Sequence, residues 1–104
     1  MKFEFSSNFD LKNIPLFWKK IGELIDGGIS DNEIEHIVTF ANSIKDNSAD
    51  VIQMSFSFQS ETCTLAFAIK MDGISPTILM LSDSQPLINA ITSKHNELCG
   101  ELKV

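Results

Sequence analysis

The sequence predicts an α+β fold with two layers, in which an antiparallel β-meander sheet packs on helices in the order βααβββα. Apolar residues recur with the helical period of about 3.6 between Ile14 and Lys45, and they alternate as in a strand after Asp50. Helices segregated from a run of strands are typical of an antiparallel sheet covered on one face. The 104 residues, of which 43% are hydrophobic, suit a single domain over residues 1–104.

The first predicted element is a short strand. Phe3 and Phe5 alternate with Lys2, Glu4 and Ser6, which is the pattern of a half-buried strand. Its short length indicates a position at an edge of the sheet.

A helical hairpin follows this strand. Its first helix is predicted from Ile14 to Asp26, with a proline early and a glycine pair directly after its end. Ser30 stands three residues before Glu33, which is the spacing of a capping box, and the second helix should end near Lys45. The two apolar stripes are Ile14, Phe17, Trp18, Ile21, Leu24 and Ile25, then Ile34, Ile37, Val38, Ala41 and Ile44.

Three strands are predicted next. Alternation gives a hairpin with the inner residues Ile52, Met54, Phe56 and Phe58, then Cys63, Leu65, Phe67, Ile69 and Met71. The outer face of this hairpin should be small, flat and nearly uncharged, with Gln53, Ser55, Ser57, Gln59, Thr62, Thr64, Ala66 and Ala68. The segment from Thr77 to Ser82 is apolar on both faces, which predicts a more enclosed third strand.

A last helix is predicted after the sheet. Asp83 or Ser84 should cap it, and Pro86 falls in its first turn. Its apolar stripe is Leu87, Ile88, Ile91, His95, Leu98 and Leu102. His95 lies in the middle of this stripe, so we expect a core histidine that has a hydrogen-bond partner.

Composition and charge exclude several classes of protein. The formal charge is −6, with no arginine, which disfavours binding to nucleic acid or to an anionic membrane. No apolar run is long enough for a signal peptide or a membrane span, so we expect a cytoplasmic protein. Cys63 and Cys99 then read as reduced, small core residues.

The negative charge is concentrated in the middle of the chain. Residues 21 to 69 carry eight acids against one lysine, a net −7, whereas the rest of the chain sums to +1. Much of this charge should project outward from the second helix, opposite its buried stripe. The residues that we assign to partner binding are Asp31, Glu33, Glu35, Phe40, Asp46 and Asp50.

The motifs of catalysis and metal binding are weak or missing. Glu33 and His36 have the E-x-x-H spacing of carboxylate-bridged metal sites, but such sites need a second pair. A thiol–imidazole pair of His95 with Cys63 or Cys99 lacks a motif that would expose a thiolate. The sequence therefore predicts no enzyme, no metal and no cofactor.

The size, charge layout and lack of catalytic motifs favour a small acidic protein-binding module. Our hypothesis is an immunity protein or antitoxin that occludes the cationic active cleft of a basic, nuclease-type toxin. Carboxylates would stand there where phosphates bind, and Phe40 would serve as an apolar anchor. The alternative is a homodimeric adaptor or secretion chaperone that buries a helix face or the flat sheet face against its twin or a client protein.

Overall fold

The predicted sheet is present in the computed structural model, which describes residues 3–8, 10–72 and 76–102. Four antiparallel strands lie in the order β1-β4-β3-β2, with helices packed on one face, which confirms the α+β fold class and the meander. The strands are β1 (Phe3–Asn8), β2 (Ala49–Phe58), β3 (Glu61–Lys70) and β4 (Thr77–Ser82), and the helices are α1 (Ile14–Gly22), α2 (Asp31–Asn42) and α3 (Gln85–Leu102). A short 3-10 turn, Leu11–Asn13, leads into α1.

The β2–β3 hairpin is closed by a two-residue turn. Gln59 and Ser60 have φ angles of 52° and 66°, as a type I′ turn requires at both central positions. Phe58 and Glu61 are therefore the pair that flanks the turn.

One inner row of side chains shows how unevenly the helices cover the sheet. The register aligns Phe5, Met80, Phe67 and Ile52 across β1, β4, β3 and β2. Met80 and Phe67 are fully buried and Phe5 is nearly so, whereas Ile52 is only half-buried. The helix layer therefore covers three strands well and leaves β2 partly open.

The first helix is shorter than predicted. It ends at Gly22 and not at Asp26, because the N–H groups of Glu23 and Leu24 donate to carbonyls three residues back and tighten the last turn. Ile25 remains buried although it lies outside the helix. The glycine pair that follows adopts φ angles of 80° and 73°, which turn the chain toward α2.

The other helices also differ from prediction at their ends. Helix α2 ends at Asn42, where the Ser43 hydroxyl donates to the Phe40 carbonyl at 2.7 Å, and does not reach Lys45. Ser84 caps α3, since its hydroxyl accepts from the Leu87 N–H at 3.2 Å. The prediction that Leu102 is buried is wrong: the side chain is 46% exposed in the last turn. Within the described residues, no helix has the length and apolar character needed to cross a bilayer.

The outer face of the sheet is more apolar than predicted. The register places Leu79 and Leu81 of β4 on this face, beside Ala66 and Ala68 of β3. Val51 of β2 joins them and is 50% exposed. Gln59 belongs to the turn and not to the face. The strand order explains the difference, because β4 lies between β1 and β3 and contributes its own outward residues.

Candidate functional site

Helix α2 carries its charge on the side away from the core. Ile34, Ile37 and Ala41 are buried, whereas the acids of the helix are exposed. The Ser30 hydroxyl accepts from the Glu33 N–H at 3.2 Å and donates to a Glu33 carboxylate oxygen at 3.1 Å. This confirms the predicted cap, although the Glu33 carboxylate meets the serine side chain in place of its backbone N–H.

An apolar groove of about 520 Å³ lies between α2 and β2. We call it the α2–β2 groove, and its lining residues are Glu33, His36, Ile37, Phe40, Ile52, Met54, Ser55 and Phe56. The groove exists because the inner side chains of β2 project toward the helix layer, which does not cover them fully. A protein surface of this kind suits an apolar segment of a partner.

Phe40 forms part of the helical wall of this groove. Its ring packs against that of Phe67, with centroids 6.1 Å apart, and the side chain is only half-buried. Phe40 is therefore held in place by the core while part of the ring remains available to a partner. That combination is typical of aromatic anchors in protein interfaces.

The predicted partner-binding residues all lie on α2, on β2 or on the loop that joins them. Glu33 and Phe40 are brought together in the α2–β2 groove. Asp31 and Glu35 are exposed on other parts of α2, and Asp46 is exposed in the loop. The sixth residue, Asp50, is exposed at the start of β2, so the six share one region without converging on one point.

Among the described residues, four lysines form ion pairs, all with acids outside α2 and β2. Lys20 of α1 contacts Glu97 and Glu101 of α3, at 3.2 and 3.1 Å, and Lys94 of α3 contacts Glu23 and Glu97 at 3.8 and 3.6 Å. The hydrogen bond from Lys20 lowers the pKa of Glu97. None of the ion pairs formed among residues 3–8, 10–72 and 76–102 involves the five predicted binding acids. No lysine in the described part of the chain therefore contacts these acids at ion-pair distance.

Asp26 has a structural role that the sequence analysis missed. Its carboxylate accepts from the Ser60 N–H and the Ser57 hydroxyl, both at 2.8 Å, and its own N–H donates to the Ser57 carbonyl at 2.8 Å. The Ser60 bond, followed by the Ser57 bond, lowers the pKa of Asp26 from its ordinary value of 3.8. Asp26 therefore clamps the β2–β3 turn to the segment that follows α1.

His95 has a hydrogen-bond partner, as predicted, but it is only half-buried and lies at the edge of the core, not within it. Its Nε2 lies 2.9 Å from the Ser7 hydroxyl, and its ring packs edge-on against Phe5 and Phe17. The Cys99 sulfur is 3.6 Å from Nε2. These contacts join β1, α1 and α3, which gives the imidazole a packing role.

The remaining polar candidates contribute little to a site. His36 is exposed at the rim of the α2–β2 groove, and within the described part of the chain no cluster of three metal-ligating side chains occurs. Cys63 is buried, Cys99 is half-buried, and both are free thiols. Within the described residues, the buried indole nitrogen of Trp18 has no hydrogen-bond partner, although the ring centroids of Trp18 and Phe67 lie 5.2 Å apart.

The α2–β2 groove itself was not predicted. Periodicity identifies α2 and β2 as elements, but the groove depends on which strand ends the sheet. The only signal in the sequence was the position of Phe40 on the flank of the helix, outside the buried stripe.

The fold and the groove define a small α+β protein with an acidic, partly apolar surface on its α2–β2 unit. A scan against protein-family models and searches of curated proteins and of solved structures found no match to the chain. The surface of the α2–β2 unit is therefore the feature of the molecule that points to a function.

Proposed function

We propose that this protein is a binding module that neutralises a basic protein partner, in the manner of an immunity protein or antitoxin acting on a nuclease-type toxin. One observation carries the proposal: α2, β2 and the loop between them carry exposed carboxylates that form no ion pair within the described residues, and the same unit holds an apolar groove that one of them, Glu33, lines. These carboxylates belong to Asp31, Glu33, Glu35, Asp46 and Asp50. The two free thiols suit a reducing compartment, so we place this function in the cytoplasm.

The mechanism follows from the chemistry of the partner. A protein that cuts nucleic acid needs a cationic cleft for phosphates, and carboxylates can occupy that cleft in their place. A surface of one charge sign also steers encounter and raises association rates by about 10- to 1000-fold. Phe40 and the apolar floor of the α2–β2 groove then slow dissociation, because they bury apolar area in the complex.

The outer face of the sheet favours a second function. Val51 is 50% exposed, and Leu79 and Leu81 lie half-buried on the same face. Such a face is suited to self-association, as in a homodimeric adaptor or a secretion chaperone. Light scattering separates the two proposals: a monomer that forms a one-to-one complex supports the inhibitor, and a stable dimer alone supports the adaptor.

Charge reversal tests the inhibitor. The variant E33K/E35K/D46K should fold normally but lose a salt-sensitive basic partner from the source cell's lysate, because it removes the steering field. The matched control E4K/D10K/D72K changes the net charge by the same amount on exposed acids outside α2 and β2, and it should retain the partner.

The recovered partner supplies the second readout. It should cleave DNA or RNA when alone and lose this activity in a one-to-one mixture with the wild-type chain. Equal recovery of the partner by both triple variants would contradict a role of the acidic surface in binding. A partner that does not cleave nucleic acid would contradict the assignment of a nuclease-type toxin.

A further inference from the structure

Strand β2 forms a free edge of the sheet. The type I′ turn makes Phe58 and Glu61 a hydrogen-bonded pair, and antiparallel ladders alternate such pairs with non-bonded ones. Ile52, Met54, Phe56 and Phe58 therefore direct their N–H and C=O groups toward β3. The residues between them, including Gln53 and Ser55, direct theirs away from the sheet.

Contacts at the two ends of β2 agree with this alternation and occupy those ends. The Ser57 carbonyl accepts from the Asp26 N–H at 2.8 Å, and the Val51 N–H donates to the Asp50 carboxylate at 2.8 Å. Between these ends, no other strand among the described residues pairs with the edge. We call the segment Gln53–Ser55 the edge window. Its outward N–H and C=O groups can pair with a further strand.

The edge window lies beside the α2–β2 groove. Ile52, Met54 and Phe56 line the groove from the strand side, while Ile37 and Phe40 line it from the helix side. Because side chains alternate along a strand, a strand added to β2 would direct every second side chain into this groove. In strand addition, main-chain hydrogen bonds supply affinity and pockets for alternate side chains supply specificity. The edge window and the α2–β2 groove offer these two features side by side.

Charge decides which occupant fits. A second copy of this chain would add another net charge of −6 and a second set of acids beside Glu33 and Asp50. A basic segment would instead place its lysines or arginines near these carboxylates. We therefore propose that the edge window takes an extended segment of the basic partner as a fifth strand, with apolar residues at alternate positions and basic residues at both ends. This inference rests on the proposed function.

A synthetic peptide with this chemistry tests the inference. The probe is acetyl-Lys-Lys-Val-Thr-Val-Thr-Val-Lys-Lys-amide, and the control, Lys-Lys-Val-Val-Val-Thr-Thr-Lys-Lys with the same end groups, has equal charge without alternation. Ser55→Pro removes an outward N–H and is tolerable at a free edge, whereas Ser55→Thr retains the N–H. Isothermal titration calorimetry should show about a tenfold weaker affinity of the probe for Ser55→Pro than for Ser55→Thr.

Amide hydrogen exchange on the wild-type chain gives a readout that needs no variant. The probe should slow exchange at Gln53 and Ser55 and leave Ile52 and Met54 unchanged, because β3 already protects these. Unchanged exchange at Gln53 and Ser55, no binding of the probe, or equal affinity for probe and control would overturn strand addition. Protection that rises with protein concentration alone would overturn it too, in favour of a second copy.

The design separates this inference from the proposed function. If Ser55→Pro and Ser55→Thr bind the probe equally while E33K/E35K/D46K loses it, strand addition fails and acidic docking stands. If E33K/E35K/D46K binds the probe as tightly as the wild-type chain does, the proposed role of the acids in binding a basic partner is contradicted.

Discussion

The two halves of the helix layer differ in how they use apolar surface and charge. Helices α1 and α3 bury most of their apolar residues under the sheet, and Lys20 of α1 pairs with Glu97 and Glu101 of α3. We call this the closed half. Helix α2 and strand β2 form the open half, where most inner side chains of the strand are half-buried and the acids of the helix form no ion pair within the described residues. Stability thus resides mainly in the closed half, which leaves the open half available for binding.

The largest expected change in stability comes from replacing one phenylalanine in each half by alanine. Phe17 is fully buried between Phe5 and His95, so Phe17→Ala should lower the free energy of unfolding by about 3–5 kcal/mol. Phe56 is half-buried in the open half, so Phe56→Ala should cost no more than about half of that. Urea unfolding followed by circular dichroism measures both, and equal losses would contradict the division into two halves.

A second test concerns the clamp at the end of β2. Asp26→Ala should lower the urea midpoint at neutral pH, since it removes the acceptor of two hydrogen bonds at the β2–β3 turn. Because the folded state lowers the pKa of Asp26, its contribution is complete above the ordinary value of 3.8 and is lost as the pH falls through the folded pKa. The difference between wild type and Asp26→Ala should therefore shrink in acid.

The control for this test is Glu35→Ala, an exposed acid of α2. The Glu35 side chain accepts no hydrogen bond within the described residues, so Glu35→Ala should lower the urea midpoint at neutral pH much less than Asp26→Ala does. A difference at Asp26 that persists undiminished at low pH would show that the clamp does not depend on the ionised carboxylate.

Local patterns in the sequence were enough to identify the helices and strands of both halves. They did not show that the helix layer leaves β2 partly uncovered. Alternation located β2 and β3, and the spacing from Ser30 to Glu33 located the start of α2. The edge position of β2 depends on the pairing of β1 with β4, which are separated by most of the chain. Asp26 likewise meets Ser57 and Ser60 across more than thirty residues, and no periodicity encodes such a contact. The α2–β2 groove and the Asp26 clamp could therefore not be predicted, whereas the exposed acids of α2, its following loop and β2 could.

The smallest expected effect comes from neutralising one acid in each half and comparing the stability of the two variants. Glu97→Gln should slightly lower the urea midpoint, and high salt should reduce the loss, because Glu97 is held by Lys20 and Lys94 on the protein surface. Glu35→Gln should leave the midpoint unchanged or raise it slightly, since Glu35 has no ion pair in the described part of the chain and adds to a net negative charge. Parallel urea titrations in low and high salt measure both. A loss at Glu35 as large as that at Glu97 would mean that the acids of α2 stabilise the fold, and the argument that they are reserved for a partner would fail.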